Sequence, residues 1–74
     1  MFTSRTIRFR FTDYLGATEA LLLVLEDARE TPKKYRITGI SPESILTNGL
    51  LLEGDIEEIS ERVALISGAT QHDS

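Results

Sequence analysis

Apolar residues fall into a few distinct periods along the chain. Residues 5–12 read Arg-Thr-Ile-Arg-Phe-Arg-Phe-Thr, so Ile7, Phe9 and Phe11 alternate with Thr6, Arg8, Arg10 and Thr12. Successive side chains of an extended chain point to opposite faces, so this alternation predicts a half-buried strand. Residues 13–16 (Asp-Tyr-Leu-Gly) read as a break. Over residues 17–30 the period changes: Ala17, Ala20, Leu21, Val24, Leu25 and Ala28 share one face of a helix. Leu22 and Leu23 widen that apolar stripe beyond what one sheet face covers. Thr31-Pro32 is the expected stop, because proline disfavours helical backbone in the residue before it.

A second strand is predicted over 34–40, with Tyr35, Ile37 and Gly39 on one face and Lys34, Arg36, Thr38 and Ile40 on the other. Ser41-Pro42 then places a capping hydroxyl and a proline at the start of a short helical turn over 42–47. Asn48-Gly49 ends that turn, and residues 49–53 (Gly-Leu-Leu-Leu-Glu) form a short third strand. The stretch after Gly54 reads best as a helix over 55–67. Asp55 is its cap, Glu58 sits three residues on, and Ile56, Ile59, Val63 and Ile66 follow at 3-4-3 spacing. The competing reading makes Gly54-Asp55 a hairpin turn between strands near 56–59 and 62–67.

The expected fold class is therefore α+β: a small β-α-β-(turn)-β-α domain with helices packed on one face of a three-stranded sheet. In this layout strands 5–12 and 34–40 are a parallel pair joined by the crossover helix. The alternative is one helix with a C-terminal β-hairpin or meander. Residues 1–4 are expected to fray, 5–67 to form the single domain, and 68–74 to be a flexible tail.

Composition narrows what can hold this domain together. With 74 residues and 8.3 kDa the chain has one thin core. It has no cysteine, so neither a disulfide nor a cysteine-type zinc site can staple it. Leu, Ile, Val and Phe supply 22 of the 74 residues, well above the level of disordered chains. No apolar run approaches the roughly 20 residues that span a bilayer. The arginines near the N-terminus alternate with Ile7, Phe9 and Phe11, whereas a secretory leader has them ahead of one continuous apolar stretch. A cytoplasmic protein without a membrane partner is expected.

Charge is distributed unevenly. The net charge of −4 combines +2 over residues 1–36 with −6 over 37–74, where Arg62 faces seven acidic residues. By strand parity Arg8 and Arg10 project opposite Phe9 and Phe11, and Lys34 and Arg36 opposite Tyr35 and Ile37. If the two strands are neighbours, these four cations share the open sheet face. Glu57, Glu58 and Glu61 form the matching acidic set near the C-terminus, a surface that could dock on the basic face within the chain or in a second copy.

Catalytic chemistry finds little footing. His72, the one histidine, lies in the expected tail, away from any partner that could set it up as a base. The five glycines are spread singly, without a phosphate-binding loop. The carboxylates near 55–61 lack the spacing of a calcium loop. No catalytic residue, metal ligand or cofactor is expected.

The expected function is a small non-enzymatic protein-interaction module: an adaptor, an accessory subunit, or a regulator or inhibitor of another protein. Its partner-binding residues would be Arg8, Arg10, Lys34, Arg36, Glu57, Glu58 and Glu61. Leu22, Leu23 and Leu51 would support self-association, giving a homodimer. The alternative is a nucleic-acid-binding regulator using the basic sheet face. That reading is the weaker one, because the strand aromatics point to the core side and the pI is near 4.8.

Overall fold

The computed structural model describes residues 4–30, 34–39 and 41–73. In chain order they form β1 (Arg5–Phe11), α1 (Tyr14–Glu30), β2 (Tyr35–Thr38), α2 (Pro42–Asn48), β3 (Leu50–Gly54), α3 (Glu57–Ala64) and β4 (Ala69–Asp73). The expected fraying at residues 1–3, the helix stop at Thr31-Pro32 and the strand end at Ile40 lie outside the described residues. The α+β class holds. Three helices pack with one open, antiparallel four-stranded sheet ordered β2-β3-β1-β4.

β1 shows the predicted alternation. Ile7 and Phe9 are fully buried and Phe11 nearly so, while Arg8 and Arg10 are exposed. The core closes over this face with Ala17, Ala20, Leu21 and Val24 of α1, Ile45 of α2, Ile59 and Val63 of α3, and Leu50 and Leu52 of β3. At ~25 cal/mol per Å² of apolar surface, each of the large side chains stabilises the fold by about 1.5–3 kcal/mol. A thin core therefore depends on every one of them.

The expected neighbour relation between β1 and β2 is corrected. β3 lies between them, pairing antiparallel with β1 (Ile7 opposite Leu52, Phe9 opposite Leu50) and with β2 (Ile37 opposite Leu52). β1 and β2 run parallel but do not touch as strands. The leucine-rich β3 takes the interior position, where both flanks are paired. The shorter β2, with Arg36 exposed upon it, takes an edge, where a charged residue discourages pairing with another chain. Setting α2 aside, the connection order is that of the split β-α-β motif.

The tail is corrected as well. Residues 69–73 form β4, which pairs along the other side of β1 from Phe11 opposite Ala69 to Ile7 opposite Asp73. Of this strand, Ala69 packs against the core. The pairing satisfies backbone groups of β1 that would otherwise face no partner. Backbone pairing leaves no hydrophobic period in the sequence of an edge strand, so Ala-Thr-Gln-His-Asp does not announce it.

Helix boundaries move for local reasons. α1 begins at Tyr14, because Asp13 caps it: its Oδ1 accepts from the Gly16 N–H at 2.8 Å and its carbonyl accepts from Ala17 N–H at 3.2 Å. The expected break at 13–16 is thus the first helical turn. α2 follows expectation. The Ser41 hydroxyl accepts from Ser44 N–H, Pro42 opens the helix, and Gly49 at φ 90° closes it. α3 is a helix, as preferred, but Ile56 precedes it without a side-chain cap. Asp55 instead donates its backbone N–H to the Lys34 carbonyl at 3.2 Å, tying the end of β3 to the start of β2. α3 ends at Ala64, before Gly68.

Gly54 is the tightest point of that tie. It lies opposite Tyr35 at φ 123°, and a Cβ there would sit 3.0 Å from both the Lys34 carbonyl oxygen and Tyr35 Cα. Backbone on one side and positive φ on the other leave no route for relief. Gly54→Ala is expected to lower stability by roughly 1–3 kcal/mol. Urea unfolding checks it: the midpoint should fall at unchanged slope, and an unchanged midpoint contradicts this account.

Candidate functional site

Residue pairing across the sheet assembles its open face row by row. One row runs Arg36, Glu53, Thr6; the next runs Thr38, Leu51, Arg8, His72; beyond them Arg10 stands opposite Thr70. Arg8, Arg10, Arg36 and His72 are exposed, and Leu51 is half-buried among them. With ~4.8 Å between strands and ~3.4 Å per residue, Arg36 and Arg8 stand about 12 Å apart at their backbones. Their spacing brackets Leu51.

Two of the three arginines are positioned by specific neighbours. The Arg8 stem lies over Gly49, where an added Cβ would come within 2.8 Å of Arg8 Cγ and 3.0 Å of Cδ. A glycine at 49 therefore gives the aliphatic stem a floor of backbone to rest on. Arg36 Nε stands 3.9 Å from Glu53 Oε1, with the arginine side chain 80% exposed. At that distance and exposure the pair contributes a fraction of a kcal/mol and leaves the guanidinium available.

Lys34 does not join this face. It precedes β2 and lines an open hollow with Asp55, Glu57, Glu58 and Glu61. Strand parity fails for it because the chain bends there. The acidic residues of α3 are exposed on the helix layer, since Ile59 and Val63 of the same helix enter the core beneath the sheet. Docking of this helix on the basic sheet face within one chain is thereby corrected: the two charged surfaces lie on opposite layers. Among the described residues no group of three or more His, Asp or Glu side chains is arranged to hold a metal ion.

The three leucines expected to support self-association are not one patch. Leu51 belongs to the open sheet face, Leu23 packs half-buried on the core, and Leu22 is 63% exposed on the outer face of α1. Leu22 has other company there: Tyr14, Leu15 and Leu25 are each about half exposed or more. Leu25 was expected on the core face with Val24. At 100° per residue it falls beyond Leu21, past the edge of the buried arc formed by Ala17, Ala20, Leu21 and Val24.

One interaction escaped sequence reading. Asp27 of α1 accepts a 2.6 Å hydrogen bond from the Tyr35 hydroxyl on β2, and Arg62 of α3 places Nη1 3.5 Å from its other oxygen. A single carboxylate, 17% exposed, thus connects three elements. The available signal was Asp27 at i+3 from Val24, an acidic residue continuing an apolar ladder. Burial first, then the bond to Asp27 and its charge, push the Tyr35 phenol well above its ordinary range.

Compared with protein-family models, curated proteins and solved structures, the chain matches none of them. No helix among the described residues is long and apolar enough to cross a membrane.

The Asp27 connection makes a signed pH prediction. A phenol whose pKa is raised on folding contributes stability that is complete below the unfolded value near ~10 and is lost as pH rises toward the folded one. Stability should therefore decline above about pH 10, and Tyr35→Phe should flatten the Tyr35 part of that decline while costing roughly 1 kcal/mol at neutral pH. Urea midpoints across pH 7 to 11 for both proteins measure it, and identical alkaline slopes would contradict the assignment.

Proposed function

We propose that this protein is a small, cytoplasmic, non-enzymatic interaction module whose open sheet face binds another protein. The observation that carries the reading is the composition of that face: Arg8, Arg10 and Arg36 surround half-buried Leu51 on a rigid, hydrogen-bonded platform. A central apolar residue flanked by long cationic side chains is the composition expected of a protein-binding patch. The apolar centre supplies desolvation, and the arginines supply orientation and partner choice. An antiparallel sheet tolerates one wet face, so this patch costs the fold nothing while unoccupied.

The same face favours protein over nucleic acid. Open sheets that bind single strands stack bases on aromatic side chains. Here Phe9 and Phe11 are buried, and Tyr35 packs against the core from the other side. The chain's net charge of −4 also opposes a polyanion at long range.

The test replaces Leu51 with a photoreactive amino acid in the native host. A protein adduct of one defined mass is expected, and it should be lost when Arg8→Glu and Arg36→Glu are added. A nucleic-acid adduct, or a protein adduct indifferent to the arginines, would overturn the reading.

A further inference from the structure

The outer face of α1 carries both chemistries that complement the open sheet, apolar and acidic. At 100° per residue, Leu15 and Leu22 share one line along the helix, with Tyr14 and Leu25 flanking it on one side. Glu19, Glu26 and Glu30 flank it on the other, and all three are exposed; Arg29, also exposed, is the one cation of this helix face and lies between the Leu22 line and Leu25. An apolar ridge thus runs beside a ridge of net negative charge. On the sheet, an apolar centre at Leu51 lies beside cationic Arg8, Arg10 and Arg36. Spacing agrees as well as sign. Glu19 and Glu26 are about 10.5 Å apart along the helix, close to the roughly 12 Å between Arg36 and Arg8.

From this complementarity we infer that the occupant of the open sheet face is α1 of a second copy of the chain. The inference rests on the reading of that face as a protein-binding surface and adds who binds there. Leu22 of one copy covers Leu51 of the next, and Glu19 and Glu26 reach Arg8 and Arg36, while Arg29, two turns beyond Leu22, lies at the edge of the contact. Seating a helix on the bare face turns the two-layer domain into a three-layer one, with the sheet covered on both sides.

Symmetry gives the arrangement a distinctive consequence. α1 belongs to the layer on one side of the sheet, and the basic face is the other side, so donor and acceptor surfaces differ. Such a heterologous contact runs head to tail, leaving a free surface at each end of every assembly unless the rotation closes a ring. A two-fold pairing of α1 with itself is disfavoured. Antiparallel helices joined along the Leu22 ridge bring Glu19 of one against Glu26 of the other, like charge against like. A two-fold pairing of sheet faces brings three exposed arginines of each copy together, with Glu53 the acidic member to offset them. A stable contact needs about 800 Å² from each copy, roughly a sixth of the 4890 Å² of surface.

Two variants test this. Arg8→Glu/Arg36→Glu disables the sheet face and leaves α1 intact; Leu22→Asp disables α1 and leaves the sheet intact. Sedimentation equilibrium from micromolar to near-millimolar concentration should show wild-type mass rising with concentration past a dimer or to a ring. The association should weaken about tenfold or more in high salt, as screening of exposed charges requires. Each variant alone should be monomeric, and an equal mixture should form a 1:1 dimer and nothing larger, because one working contact remains. A monomeric wild type overturns the inference, as does a mixture that stays monomeric. Association of the arginine variant alone would mean helix-to-helix pairing, and of Leu22→Asp alone sheet-to-sheet pairing; either also overturns it. Far-UV circular dichroism verifies folding, and Glu19→Gln/Glu26→Gln replaces Leu22→Asp should that variant not fold. A monomeric wild type with an arginine-dependent adduct to another protein at position 51 would remove the second copy while keeping the binding face.

Discussion

Burying Ile7, Phe9 and Phe11 along one side of β1 constrains everything else in the molecule. An extended chain offers no way to turn three alternate side chains inward without turning the intervening ones outward. Arg8 and Arg10 are held on the far face by the same backbone that holds the phenylalanines in the core. A slip of one residue in pairing with β3 would send both arginines into the apolar interior, so register is enforced by the cost of burying charge. β1 also has both edges paired, to β3 and β4. Core, register and surface charge thus share one seven-residue segment.

On the helix layer a different device sets relative positions. α1 meets the core through Ala17, Ala20, Leu21 and Val24, apolar side chains that form no directional bonds. Asp27 supplies direction: one oxygen faces β2 through Tyr35 and the other faces α3 through Arg62. A partly buried carboxylate with two partners contributes modestly to net stability, since its desolvation offsets much of the gain. Its larger effect is to penalise any arrangement of the three elements that leaves the charge alone.

The parts of the fold legible in the sequence are those with a strong period or a specific cap. β1 has its alternation, α2 its Ser41-Pro42 start, and α3 its 3-4-3 isoleucine and valine spacing. What escaped depends on partners remote in sequence. β4 is made by backbone pairing, and its Ala-Thr-Gln-His-Asp carries no hydrophobic pattern to read. The interior place of β3 is a matter of three strands competing for two flanks, which no local window contains. Lys34 follows strand parity on paper but stands where the chain bends toward Asp55. For the candidate site, parity correctly grouped Arg8, Arg10 and Arg36. The exposed ridge of α1 was hidden because Leu25 sits at the boundary between the buried and the outer stripe.

The two ends of the sheet are unalike in length and chemistry, yet both are blunt. β2 offers four residues of edge, with Arg36 exposed on it, and β4 offers a run whose only aliphatic member is Ala69. Neither presents the long apolar margin on which amyloid-like extension begins. Lateral growth, strand added to strand, is therefore a poor route for this chain even at high local concentration. Crowding would leave the hydrogen-bonded ladder four strands wide.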